Sequence, residues 1–104
     1  MAELTDQEFR VQADVAIEAA QKSLLDLADA EGFEVELQGG VLQVIFEGPK
    51  PAKFVVSPNA PVRQIWVSAL SRSFKLPWAG GGFALDGESL PALLDRLARQ
   101  QLGL

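Results

Sequence analysis

The sequence predicts an α+β fold: a long helix, an antiparallel meander of about six strands, and a shorter closing helix, with both helices packed on one face of the sheet. Three observations predict it. Apolar residues recur at helical spacing from Phe9 to Ala28, strict alternation flanks Gly39-Gly40, and a second helical stripe from Leu90 to Ala98 follows a series of short alternating segments. With 104 residues, no internal repeat and no linker, the chain reads as a single domain, 1–104, large enough for one core.

The first helix is expected from Thr5 to about Ala30, with Phe9, Ala13, Ala16, Ile17, Ala20, Leu24, Leu27 and Ala28 as its buried stripe. Thr5 and Glu8 form a capping-box pair at its start, and Gly32 is placed to end it. Asp14, Glu18 and Asp29 fall on the side opposite the stripe, together with Lys22 and Leu25. Phe33 to Gln38 and Val41 to Glu47 then alternate around Gly39-Gly40, whose residues supply the positive φ angles of a tight turn. A two-residue turn pairs Leu37 with Leu42, Val35 with Val44 and Phe33 with Phe46, all on one face, so register and hydrophobic pattern agree. Glu34 and Glu36 project from the other face beside Gln43 and Ile45, next to the acids that close the first helix.

Gly48 to Pro51 reads as a turn, Ala52 to Ser57 as a third strand, and Pro58 to Pro61 as a second turn. A fourth strand is expected over Pro61 to Ser68, a fifth around Ser73 to Leu76 and a sixth around Phe83 to Leu85. Gly80-Gly81-Gly82 precedes a strand signal rather than a helix, so it suits a hairpin connection and not a phosphate-binding loop. Ser89 caps the last helix, Pro91 sits in its first turn, and Leu90, Leu93, Leu94, Leu97 and Ala98 form its stripe.

The fourth strand carries an unusual residue. Ile65, Val67 and Ala69 point to the core, which puts Trp66 on the opposite face with Gln64 and Ser68. A large aromatic group there is covered either by a neighbouring loop or by a partner.

Composition excludes several function classes. The chain has no Cys, which removes thiolate catalysis, disulfides and Cys-ligated zinc or iron–sulfur sites. With no His and no Tyr either, Ser-His-Asp and Cys-His constellations cannot be assembled, and no catalytic residue is assigned. No apolar run approaches the roughly 18 residues of a membrane span, and Met1 to Asp6 is acidic where a signal peptide is basic, so the expected location is cytoplasmic, without a membrane partner.

The net charge of −5 is unevenly distributed. Residues 1 to 47 hold eleven acids against Arg10 and Lys22, whereas residues 48 to 104 hold seven bases against Asp86, Glu88 and Asp95. The acidic front half suits basic partners or cations and repels nucleic acid; the simpler alternative is a solvated helix face. Carboxylates alone can hold hard cations through oxygen, weakly and with little selectivity.

Over nearly its whole length the chain resembles the frataxin family, in particular its bacterial branch. The resemblance is carried by Asp6-Gln7-Glu8-Phe9 and Ala13-Asp14, by Gly39-Gly40-Val41-Leu42, by Pro61 through Gln64-Ile65-Trp66, and by Gly87-Glu88, Leu93-Leu94 and Gln100-Gln101 in order. It implies a frataxin-like α/β sandwich and an iron-binding accessory role in iron–sulfur cluster assembly, exercised on a cysteine desulfurase and its scaffold protein. It also implies weak, surface-bound iron (Fe2+ or Fe3+) on an acidic ridge, here Asp14, Glu18, Asp26, Asp29, Glu31, Glu34 and Glu36. The implied partner-binding residues are Gln64 and Trp66 on the sheet and Asn59 at the adjoining turn, and the implied form is a monomer, with iron-dependent oligomers as the alternative.

The chain departs from the family where consecutive acids are usual. Gln21-Lys22 and Leu25-Asp26 thin the ridge, and Lys22, four residues after Glu18, is expected to neutralise it in part. Three functions compete: an iron–sulfur assembly regulator, a metal-independent protein-binding adaptor using the exposed sheet face, and a ferroxidase or iron-storage enzyme. The last ranks lowest, because the sequence lacks the Glu-x-x-His motif of a buried di-iron centre.

Overall fold

The computed structural model describes residues 4–104; Met1 to Glu3, part of the acidic N-terminus, lie outside the described residues. Helix α1 (Asp6–Glu31) begins at the expected capping box. The Thr5 hydroxyl accepts from the Glu8 N–H at 3.1 Å, and the Glu8 carboxylate accepts from the Thr5 N–H at 2.9 Å. Gly32, at φ 81°, closes the helix by donating its N–H to the Ala28 carbonyl.

Strands β1 (Glu34–Gln38), β2 (Val41–Phe46), β3 (Ala52–Asn59), β4 (Gln64–Ala69), β5 (Arg72–Ala79), β6 (Gly82–Leu85) and β7 (Glu88–Ser89) follow in one antiparallel meander, and α2 (Leu90–Leu102) ends the chain. The seventh strand is the addition to the expected six. It is only two residues long, and Ser89 doubles as the N-cap of α2, so its strand pairing is hidden beneath the capping signal.

The β1–β2 register is as expected, with Leu37 opposite Leu42 and Val35 opposite Val44. The Phe33 and Phe46 rings meet at 4.7 Å between centroids, and Phe46 meets Phe54 at 5.0 Å, extending one aromatic row from the α1–β1 connection across β2 and β3. The core is a single cluster between the sheet and both helices. It takes Phe9, Ile17 and Leu24 from α1, Leu93, Leu94 and Leu97 from α2, and Leu42, Val44, Phe54, Val56, Ile65, Val67 and Leu76 from the sheet.

Strand β5 runs on to Ala79, three residues past the expected Leu76, and two boundaries between β3 and β4 differ as well. Strand β3 continues through Pro58 and Asn59, which pair with Ile65 and Gln64, so these residues belong to the sheet rather than to a turn. Pro61 and Val62 are not strand: Ala60–Val62 forms a 3-10 turn, and Arg63 takes a left-handed conformation at φ 54° before β4 begins. The cause is tertiary. The Arg63 guanidinium donates to the Leu4 carbonyl at 3.1 Å and to the Ala60 carbonyl, and lies 3.8 Å from the Asp6 carboxylate, tying this corner to the start of α1.

Candidate functional site: the bare sheet face and the acidic edge

Both helices cover the face that carries Ile65 and Val67, which leaves the other face of the central strands bare. Trp66 stands on that bare face and is 36% exposed. Alternation along β4 is the local reason, since Ile65, Val67 and Ala69 are buried while Trp66 and Ser68 are exposed. The other tryptophan, Trp78, has the opposite parity on β5. It is half-buried on the core side, packed edge-on against Phe83 at 5.1 Å.

The Trp66 ring is held on two sides. Its Nε1–H donates to Gln64 Oε1 at 2.8 Å, and the Lys75 ammonium lies over the ring, 4.8 Å from the centroid. Strand register explains both contacts: Gln64 is two residues away on the same face, and Lys75 is directly opposite on β5. Asn59 pairs with Gln64 across β3 and β4, so the three expected partner-binding residues, Asn59, Gln64 and Trp66, form one contiguous patch. Lys75 was missed in the sequence. Its signal is the β4–β5 turn at Leu70-Ser71, which sets the register yet contains no Gly or Asn to announce it.

The seven expected ridge acids are exposed and spread along two elements. Asp14 and Glu18, one turn apart on α1, share a small cleft with Leu37 and Gly40 of the first hairpin. A Cβ on Gly40 would lie 4.0 Å from Asp14 Oδ1, which shows how closely the turn approaches the helix. Asp26, Asp29 and Glu31 follow toward the end of α1, whereas Glu34 and Glu36 project from the helix-free side of β1. Among the described residues, no three acidic side chains come together as a metal-holding group.

The ridge acids also lack basic partners among the described residues. The ion pairs found there are Arg10–Asp6, Arg63–Asp6, Arg96–Glu88 and Arg99–Asp95. Lys22 makes no direct ion pair with Glu18, so its neutralising influence on that carboxylate acts through space across one helical turn. An exposed pair of this kind gains only about 0.3–0.5 kcal/mol, so its presence or absence changes stability little. Outside the ridge, the Arg96 guanidinium donates to both Glu88 carboxylate oxygens at 2.8 and 2.9 Å, and this hydrogen bonding pulls the Glu88 carboxyl below its ordinary 4.5.

A seven-stranded antiparallel meander clad on one side by terminal helices, with a tryptophan on its bare side, defines a two-layer α+β protein of frataxin-like architecture. A family model described as a frataxin-like domain matches residues 2–104. The chain is 32% identical over 105 residues to a protein of Janthinobacterium sp. (strain Marseille) named iron-sulfur cluster assembly protein CyaY, covering 97% of this chain and 93% of that one. It is 37% identical over 93 residues to a protein of the same name from Pseudomonas aeruginosa, covering 84% of each. The solved frataxin of Psychromonas ingrahamii superposes with a TM-score of 0.69 at 17% identity, covering 94% of this chain and 91% of that one, a likeness of fold. The chain belongs to the frataxin family, in its bacterial, CyaY-like branch.

Proposed function

We propose that this protein is a non-enzymatic accessory of iron–sulfur cluster assembly that docks on a cysteine desulfurase–scaffold complex in the cytoplasm and modulates sulfur delivery. The printed names of its relatives support the assembly role. The observation that carries the docking is Trp66, exposed on the bare face yet fixed by Gln64 and Lys75. An aromatic group ordered before binding loses little conformational freedom on association, as a binding anchor requires. The acidic edge supplies the complementary field for a basic desulfurase surface.

Iron fits this edge chemically, since carboxylate oxygens suit a hard cation, and Asp14 with Glu18 is the pair that the fold brings to one cleft. Two such groups without a closed cage make a weak site. A second reading, a metal-independent adaptor, is favoured by the spread of the remaining acids.

The test is a backbone-amide and indole NMR titration, first with ferrous iron under anaerobic conditions and then with the purified desulfurase and scaffold. Perturbation of Asp14 and Glu18 by iron, and of Gln64 and Trp66 by the proteins, is the expected result. Protein-induced shifts without iron-induced ones select the adaptor, and silence at Trp66 rules out the docking face.

A further inference from the structure

Strands β3 to β5 carry a charge pattern opposite to that of α1 and β1. Between Gly48 and Leu85 the chain contains Lys50, Lys53, Arg63, Arg72 and Lys75 and no Asp or Glu. On the helix-free face, Ser57 and Lys75 flank Trp66 on either side, and Ser68 stands opposite Ser73 in the next row. With Val55, these residues line a shallow trough of about 380 Å³. Its floor is apolar, and the polar groups at its sides are three hydroxyls and an ammonium.

Lys75 makes no ion pair among the described residues, and its ammonium rests over the Trp66 ring. The ring quadrupole attracts the cation and restrains a side chain that otherwise samples many rotamers. The ring is in turn fixed by Gln64. The trough thus presents one oriented positive charge beside hydroxyls able to donate. A carboxylate satisfies this set, because it only accepts hydrogen bonds and carries the balancing charge, while its short aliphatic stem can lie on Val55 and the indole edge. An amide would match the hydroxyls but not the charge. A polyanion such as nucleic acid is opposed by Glu34 and Glu36 on the same face and by the net charge of −5.

We propose that this trough is a carboxylate-binding site that receives an Asp or Glu side chain of the scaffold protein, with Lys75 as the ion-pairing residue and Trp66 as the surface that holds Lys75 ready. The proposal rests on the reading that the Trp66 face meets the scaffold. It adds a polarity to that reading: the edge of the molecule selects basic surfaces, and the bare face selects an acidic side chain.

The experiment measures the affinity of the purified scaffold–desulfurase complex for the full chain and for Lys75→Met, Lys75→Arg, Lys75→Glu and Trp66→Ala. Lys75 is exposed, so these variants are expected to fold, and Trp78 fluorescence with thermal melts checks that they do. Loss of a charge-assisted contact weakens binding about tenfold in Lys75→Met, and by more in Lys75→Glu, while Lys75→Arg stays near the native affinity. A scaffold Glu→Lys or Asp→Lys change that restores binding to Lys75→Glu identifies the partner carboxylate. If Trp66→Ala weakens binding but Lys75→Met and Lys75→Glu bind as tightly as the native chain, the carboxylate site is overturned and the docking face stands. If Trp66→Ala also binds normally, the docking face and the carboxylate site are overturned together.

Discussion

The acidic edge and the bare sheet face show two ways of arranging polar groups on one small domain. Along α1 and β1 the seven ridge carboxylates are exposed and, among the described residues, without basic partners, and they point to both sides of an edge strand. On β3 to β5 the functional groups are few, but each is placed by register: Gln64 on the indole N–H, Lys75 on the ring, Ser68 across from Ser73. The edge acts as a field, which attracts without defining an orientation. The bare face acts as a site, which defines an orientation and contributes little at a distance. A weak accessory protein gains from both, since the field speeds encounter and the site slows departure.

The largest expected effect lies at the site. Trp66→Ala is expected to weaken binding to the scaffold complex by about 2 kcal/mol or more, as for a central aromatic anchor. Its cost to folding stability should stay below the roughly 3–5 kcal/mol of a buried aromatic such as Phe54. Urea melts of Trp66→Ala and Phe54→Ala, read beside binding isotherms, check the contrast. Equal losses of stability would place Trp66 in the core and erase the distinction between the two faces.

A smaller effect concerns the hairpin that carries Trp66 and Lys75. Leu70 and Ser71 form its turn at φ 55° and 61°, angles that cost an L-residue roughly 1–2 kcal/mol each relative to the right-handed form. Ser71→Gly removes that strain but adds backbone entropy to the unfolded chain, so a net stabilisation of up to about 1 kcal/mol is expected. Thermal unfolding measures it, and a lower Tm would show that Ser71 makes a compensating contact.

At the edge, cations are expected to bind weakly and with little discrimination. Calcium or manganese should displace iron from Asp14 and Glu18 at millimolar levels, because exposed oxygen ligands select poorly between hard ions. Competition followed by NMR line broadening tests this, and one tight iron-selective site elsewhere would break the description of the edge as a field.

The smallest effect separates paired from unpaired acids. Glu88 is held by Arg96, and its carboxyl titrates below the ordinary 4.5. Its pair therefore adds to stability above that value, and the contribution disappears as pH falls through the lower folded-state value. Both groups are at the surface, so the contribution is small. A carboxyl NMR titration in which Glu88 protonates at or above 4.5 would contradict the pair.

Much of this organisation was legible in the sequence where local chemistry and pattern coincide. Gly39-Gly40 announced its hairpin, because glycine is the residue that a doubly left-handed turn favours. Trp66 could be placed on the bare face because its neighbours Ile65 and Val67 fixed the parity. The corner at Arg63 was not legible. Its conformation depends on Leu4 and Asp6, far away in the chain, and nothing in the local sequence signals that link. Lys75 was hidden for a related reason, since Leu70-Ser71 adopts a glycine-type turn without its usual residues. The acids could be counted from the sequence, but their division between two sides of β1 follows from where α1 packs.

The most direct test of the contrast between field and site is a kinetic measurement of association with the desulfurase–scaffold complex, by surface plasmon resonance, at low and physiological salt. Charges on the edge are screened over about 8–10 Å under physiological conditions, so the native on-rate is expected to fall as salt rises. Glu18→Lys with Asp29→Lys should lower the on-rate and flatten that salt dependence, Lys22→Glu should raise the on-rate, and Trp66→Ala should speed dissociation at both salt levels. A native on-rate indifferent to salt, with Lys22→Glu binding no faster, would contradict the account and leave the acids of α1 as a solvated helix surface.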